Sequence, residues 1–158
     1  MKTIAFFGHS RINNETEIKE KLVSTLNTII SNEKFVKLLI GCHGDFDKIA
    51  LSSCLNYINN TNTNVSISVI LTSLSFLKKD EYGYSKADMY KEKNCETLFY
   101  NIEETYYKNR ITYSNKKMVD DSDLIICYVN MKSYKSGAKT AVNYAIKQKK
   151  QIINLFYT

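Results

Sequence analysis

The chain contains no proline. Its turns and helix ends must therefore be set by Gly, Asn and Ser, and glycine itself is scarce, at 5 of 158 residues. No apolar stretch approaches the ~18–20 residues that a membrane span requires, so no transmembrane segment and no membrane partner are expected. The apolar run after Met1-Lys2-Thr3 is too short for a signal peptide, and no small-residue cleavage site follows it. A cytoplasmic location is the expectation. Cys42, Cys54, Cys95 and Cys127 form no CxxC pair and no finger spacing. Free thiols are expected in that compartment, with Cys54 and Cys127 as core residues. His9 and His43, even with Cys42, lack the spacing of a metal-ligand set, so no metal and no cofactor are assigned.

Arginine is also nearly absent, at Arg11 and Arg110 only, yet the net charge is +6 from 22 Lys+Arg against 16 Asp+Glu. Such an excess favours anionic partners. The lysines are spread along the chain, at Lys34, Lys37, Lys48, Lys78, Lys79, Lys116, Lys117 and near the end at Lys147, Lys149 and Lys150. No compact basic run is interleaved with aromatics. The reading is therefore solvated faces rather than a nucleic-acid site.

What is present is an alternation of strand and helix patterns over one domain, residues 1–158, long enough to bury a core. The apolar runs Thr3–Phe7, Phe35–Ile40, Val65–Leu71, Asp123–Val129 and Gln151–Leu155 read as strands, and Glu96–Tyr100 as a short one. Glu15–Ile30 reads as an amphipathic helix carrying Ile18, Leu22, Leu26, Ile29 and Ile30, with Asn13 or Asn14 as its cap. Phe46–Ile58 reads as a helix with Ile49, Leu51, Cys54 and Leu55 inward. A helix from Ile102 or Glu103 to Asp120 and one over Gly137–Lys147 follow, while Thr72–Lys93 reads as irregular. The pattern predicts an α/β, Rossmann-like three-layer sandwich with a mainly parallel sheet of about five or six strands.

Three small-residue turns follow three of these strands: Gly8-His9-Ser10, Gly41-Cys42-His43-Gly44-Asp45 and Ser136-Gly137-Ala138. In open α/β sheets ligands bind outside the strand carboxyl ends. Glycine turns there let backbone N–H groups approach an anion, and a following helix adds its positive end. Gly8, Gly41, Gly44 and Gly137 are the candidate anion wrap. His9 is read as a ribose or phosphate contact or as a strand-end cap. Asp45 is read as a ribose contact or as the N-cap of the helix from Phe46. Asn115 and Met118 share a helix face at i, i+3; Met118 could equally be core. Asp120, Asp121 and Asp123 are read as a helix end and turn. Tyr82, Tyr84 and Tyr90 could stack on a base or form a subunit contact.

These segments carry a resemblance. Phe6-Phe7-Gly8-His9-Ser10-Arg11-Ile12, the Gly41–Asp47 loop, Asn115 to Asp123, and Ser136-Gly137-Ala138 through Leu155 resemble, in order, the SLOG superfamily, which joins the Smf/DprA proteins with LOG-type nucleotide hydrolases. The resemblance implies a domain that binds a nucleotide-derived molecule, such as ADP-ribose, an NAD-derived molecule or a cyclic nucleotide signal. It implies ligand contacts at Gly8, His9, Ser10, Arg11, Gly41, Cys42, His43, Gly44, Asp45, Asn115, Met118, Ser136, Gly137, Ala138 and Lys139. The chain departs from the pattern: Gly41-Cys42 stands for a double glycine, Ser114-Asn115 for Arg-Asn, and Ser136 for a glycine. The LOG-type Pro-Gly-Gly-x-Gly-Thr-x-x-Glu loop is missing, which argues against hydrolysis, and no catalytic residue is assigned.

Three function classes follow. The first is binding of an intact nucleotide-derived signal; because SLOG domains sense NAD-derived signals in anti-phage defence, a free-standing one suggests a sequestering sponge. The second is N-glycosidic hydrolysis through a relocated carboxylate, Asp45 or Asp47. The third is a DNA-processing-type association with nucleic acid. A homodimer or larger assembly is expected from the tyrosines Tyr100, Tyr106, Tyr107 and Tyr113.

Overall fold

The computed structural model describes all residues, Met1–Thr158. Six strands form one sheet: β1 (Lys2–Gly8), β2 (Val36–Ile40), β3 (Val65–Ile70), β4 (Glu96–Leu98), β5 (Leu124–Tyr128) and β6 (Gln151–Asn154). Their spatial order is β4-β3-β2-β1-β5-β6, and every neighbouring pair is parallel. Parallel strands need crossovers, and five helices lie along them: α1 (Glu15–Ile30), α2 (Gly44–Asn60), α3 (Lys86–Glu92), α4 (Arg110–Asp120) and α5 (Gly137–Lys147). The architecture is the Rossmann-like three-layer sandwich that the alternating pattern predicts.

Alternate side chains of the buried strands feed two separate cores. Ile4, Phe6, Leu38, Ile40, Ile67, Val69, Leu124 and Ile126 face α1 and α2, meeting Ile18, Leu22, Leu26, Phe46 and Cys54. Ala5, Phe7, Leu39, Ile70, Ile125 and Cys127 face α4 and α5, meeting Met118, Val119, Val142 and Ala145. Because both faces are covered, the strands read as continuous apolar runs rather than alternating ones. Cys54 and Cys127 are fully buried free thiols, as their apolar contexts predict.

Several local readings change. The segment Thr72–Lys93 is not irregular throughout: it holds a one-turn 3-10 helix, Leu74–Leu77, and α3. A reciprocal capping box starts α3, with the Ser85 side chain accepting from Asp88 N–H while Asp88 accepts from Ser85 N–H. The helix before Asp120 begins only at Arg110, after a short 3-10 turn at Tyr107–Asn109. The last strand stops at Asn154, and Leu155–Tyr157 turns away. Asn154 ends it by clamping β5: its amide accepts from Val129 N–H at 3.1 Å and donates to Val129 O at 2.8 Å. Asp123 clamps the other end of the sheet, accepting from Thr3 N–H at 2.8 Å. No helix is long and apolar enough to cross a membrane.

Candidate functional site

The strand order reverses at β1. The chain leaves it toward β2, β3 and β4, then returns to the other side at β5 and β6. Such a switch point opens a crevice between the loops that follow the two central strands. Here the crevice is a cavity of about 560 Å³. The β1–α1 loop forms one wall, from Gly8 to Asn14, and the start of α5, from Ser136 to Ala138, forms another. Asn115 and Met118 of α4 line it together with Ile111. Gly41, His43 and Asp47 complete it from the β2–α2 turn.

Of the residues that the sequence singles out, the cavity gathers Gly8, His9, Ser10, Arg11, Gly41, His43, Asn115, Met118, Ser136, Gly137 and Ala138. Cys42, Gly44, Asp45 and Lys139 are not on its wall. Each has another assignment. Cys42 packs half-buried against the α1–α2 core, where burial pushes its thiol up. Lys139 donates to Ser133 O at 2.7 Å. Asp45 is not the N-cap of α2, because the helix starts two residues earlier than Phe46, at Gly44, with His43 in the cap position. Its carboxylate instead accepts from Ile12 N–H at 2.9 Å and pins the β1–α1 loop.

Three of the donors at the start of α2 are tied within the protein. Asp45 N–H donates to Ser10 O at 2.9 Å, Phe46 N–H donates to His9 O at 3.3 Å, and His43 N–H donates to the Asp47 carboxylate at 2.8 Å. Those donors join two loops rather than awaiting a ligand. Gly44 permits this junction. Its φ is +81°, and an added Cβ would lie 2.6 Å from Ser10 Cα. Gly44→Ala should cost about 1–3 kcal/mol, through the left-handed backbone and the contact together. Urea unfolding checks this; a midpoint equal to the parent's would refute the packed junction.

The start of α5 is different. Ser136 caps it, its hydroxyl accepting from Lys139 N–H at 3.1 Å, and Thr140 N–H donates to Ser136 O at 2.9 Å. The N–H groups of Gly137 and Ala138 have no acceptor in the protein, and both residues lie on the cavity wall. An added Cβ on Gly137 would meet nothing within 4 Å. This glycine is not demanded by packing.

The polar groups of the cavity are held in defined states. His9 Nε2 accepts from Asn130 N–H at 2.8 Å, so in the neutral ring the proton sits on Nδ1. Burial lowers its pKa further, which keeps it neutral. His43 hydrogen-bonds the Thr72 hydroxyl, and its pKa is likewise lowered by burial. Arg11 is then the cationic side chain of the wall, and Asp47 its carboxylate. Burial pushes the Asp47 pKa up to about 7, against the opposing effect of the His43 N–H bond.

Several wall residues were not legible as site residues. Tyr128 and Phe156 pack ring to ring at 5.2 Å and present aromatic surface to the cavity, and the Asn14 amide meets the Tyr128 hydroxyl at 3.2 Å. Thr72, Asn130 and Ser133 also join from strand ends. No motif marks them; only the sheet order brings them in. Conversely, Tyr82, Tyr84 and Tyr90 do not line the cavity. Tyr82 is exposed, Tyr84 donates to Glu92 at 2.7 Å, and Tyr90 packs against the core. No protein-family model and no curated protein sequence matches the chain.

Proposed function

We propose that this protein binds a nucleotide-derived anion across its β1–β5 crevice and holds it intact. ADP-ribose, NAD-derived molecules and cyclic nucleotides are the ligand class that the resemblance to SLOG domains favours. The observation that carries the reading is the start of α5: two backbone donors without protein acceptors, at the positive end of a helix, on the wall of a cavity at the sheet's switch point. Arg11 supplies a positive charge. Tyr128 and Phe156 supply the flat aromatic surface that a base requires. A domain that binds such a signal without turnover would act by sequestration, as a sponge does.

Gly137 offers a clean test, because space around it is open. Gly137→Asp places a carboxylate at a helix start, where it suits the dipole, so stability should be unchanged or slightly raised. The same carboxylate repels an anionic ligand. Calorimetry with ADP-ribose, NAD and cyclic nucleotides should give a loss of affinity of about tenfold or more, on the order of 1.4 kcal/mol. A folded variant that binds as the parent does would remove α5 from the reading.

One observation favours a second reading. Asp47 is a carboxyl on the cavity wall whose pKa of about 7 keeps much of it protonated at neutral pH. A general acid needs that state. N-glycosidic hydrolysis, with water adding to the sugar C1′ as Asp47 protonates the departing base, is the alternative; chromatography of the ligand after binding separates the two, since free base appears only with cleavage. For assembly, the exposed Tyr106, Tyr107 and Ile111 motivate a homodimer. A light-scattering mass of one chain at micromolar concentration would overturn that part.

A further inference from the structure

The α4–α5 face carries a second concavity, of about 430 Å³, away from the crevice. Lys116 reaches it from α4, Lys135 from the β5–α5 loop, and Lys139 and Lys147 from α5. In the sequence these four are separated by up to 31 positions, and no basic run announces them. No carboxylate lines the groove. The chain's ion pairs are Lys2–Glu33, Lys19–Glu15, Lys21–Glu17 and Lys79–Asp88, so none of the groove lysines is paired. Asp120, at the end of α4, accepts the Tyr144 hydroxyl at 2.8 Å, and Lys116 lies over the Tyr144 ring at 5.6 Å. Like charges gathered without counter-charges repel one another, and an anion reverses that cost.

The groove also adjoins the crevice. A shallow notch between α4 and α5 is lined by Asn115 and Gly137, which also line the cavity, and by Lys116 and Thr140, which also line the groove. From Gly137 to Lys147 the track follows α5 for roughly 15 Å at the usual helical rise. A ligand anchored at the unpartnered N–H groups of Gly137 and Ala138 can extend along it past Thr140 to the lysines.

We propose that the lysine groove is a second anion subsite, which takes the distal phosphates of a nucleotide whose nucleoside end lies in the crevice. The ligand class is then a nucleotide with an extended phosphate chain rather than a monophosphate. This rests on the crevice reading above for the nucleoside end only. Lys139 belongs to this subsite rather than to the cavity wall.

Lys135 and Lys147 are exposed and unpaired, so the double variant Lys135→Gln/Lys147→Gln should fold, and at low salt it should be at least as stable as the parent. Calorimetry at low salt would use inorganic tripolyphosphate, adenosine monophosphate and adenosine tetraphosphate. In the parent, tripolyphosphate should bind, and the tetraphosphate should bind about tenfold or more tighter than the monophosphate. In the double variant tripolyphosphate affinity should fall about tenfold or more, and the two nucleotides should become alike. Equal tripolyphosphate binding by the two proteins, or none by the parent, would overturn the subsite. Equal binding of the two nucleotides by the parent would overturn its continuity with the crevice. If neither nucleotide binds while tripolyphosphate still does so through the lysines, the crevice reading falls and the groove stands as an anion site. A short oligothymidylate that binds more tightly than tripolyphosphate, and is lost in the double variant, would overturn the small-molecule assignment in favour of single-stranded nucleic acid.

Discussion

Replacing Gly8 by alanine is expected to destabilise the fold by about 2–4 kcal/mol, a cost at or above the upper end of ordinary overpacking. An added Cβ would sit 2.1 Å from Phe46 Cγ, and Phe46 is 0% exposed. Its backbone is also tied down, since Phe46 N–H donates to His9 O just beyond Gly8. The ring can move only by pushing α2 away from β1, which would also open the junction between the β1–α1 loop and the start of α2. The backbone of Gly8 is not in the left-handed region, so the effect is one of contact and not of conformation. For a chain of this size the loss corresponds to a fall in melting temperature of roughly 5–15 °C. A double-mutant cycle with Phe46→Ala identifies the cause. Phe46→Ala alone should destabilise by leaving a void, yet with Gly8→Ala the combined loss should be clearly less than the sum of the separate values, because alanine lacks the Cγ and ring atoms that the methyl group would meet. Strict additivity would mean that the glycine is required for some other reason.

This contact shows why the fold was more legible than the site. Strands buried on both faces announce themselves through continuous apolar runs such as Ile4–Phe7 and Leu124–Cys127, and α1 through the spacing of Ile18, Leu22 and Leu26. Gly8 was visible as a turn glycine, but its packing role was not, since Phe46 meets it only after β1 and α2 are laid together. The start of α2 was misplaced because Gly44 enters the helix through a positive φ, which no neighbouring residue encodes. The missed helix α3 did have a local signal, in Ser85-x-x-Asp88, obscured by the charged residues around it.

The site was legible in part for the same reason. Glycine turns mark strand ends, so Gly8, Gly41 and Gly137 could be assigned to one sheet edge before the sheet order was known. Which turn offers free donors could not. At the start of α2 the N–H groups of His43, Asp45 and Phe46 are taken by Asp47, Ser10 and His9, whereas at the start of α5 those of Gly137 and Ala138 are open. Only the tertiary junction distinguishes them. The lysine groove illustrates the converse. Lys116 and Lys147 read as scattered solvated charge and Lys139 as a crevice contact, and the packing of α4 against α5 and the loop before it makes them neighbours of Lys135.

Asp47→Asn is expected to abolish a pH dependence that the parent displays between about pH 4 and 7. The Asp47 carboxyl has its pKa raised from 3.8 to about 7, chiefly by burial, so the folded state holds its proton more tightly than the unfolded chain does. A raised pKa means stability that is fully present below the unfolded value and is lost as pH rises through the folded value. The parent should therefore weaken relative to Asp47→Asn from about pH 4 upward and level off above about pH 7, with a total difference of about 2–4 kcal/mol. Asparagine keeps the acceptor for His43 N–H and carries no charge, so the bond at the start of α2 survives. His9 and His43, whose pKa values burial lowers, act in the opposite sense, weakening the fold as pH falls. Their contribution is common to both proteins and cancels in the difference. Cys42 and Tyr90, both raised in part by the Asp47 charge, titrate above this window. Urea unfolding of the two proteins at half-unit steps of pH gives the difference curve directly. Parallel curves would mean that Asp47 is ionised at neutral pH, and with that the general-acid alternative for the crevice would lose the observation that supports it.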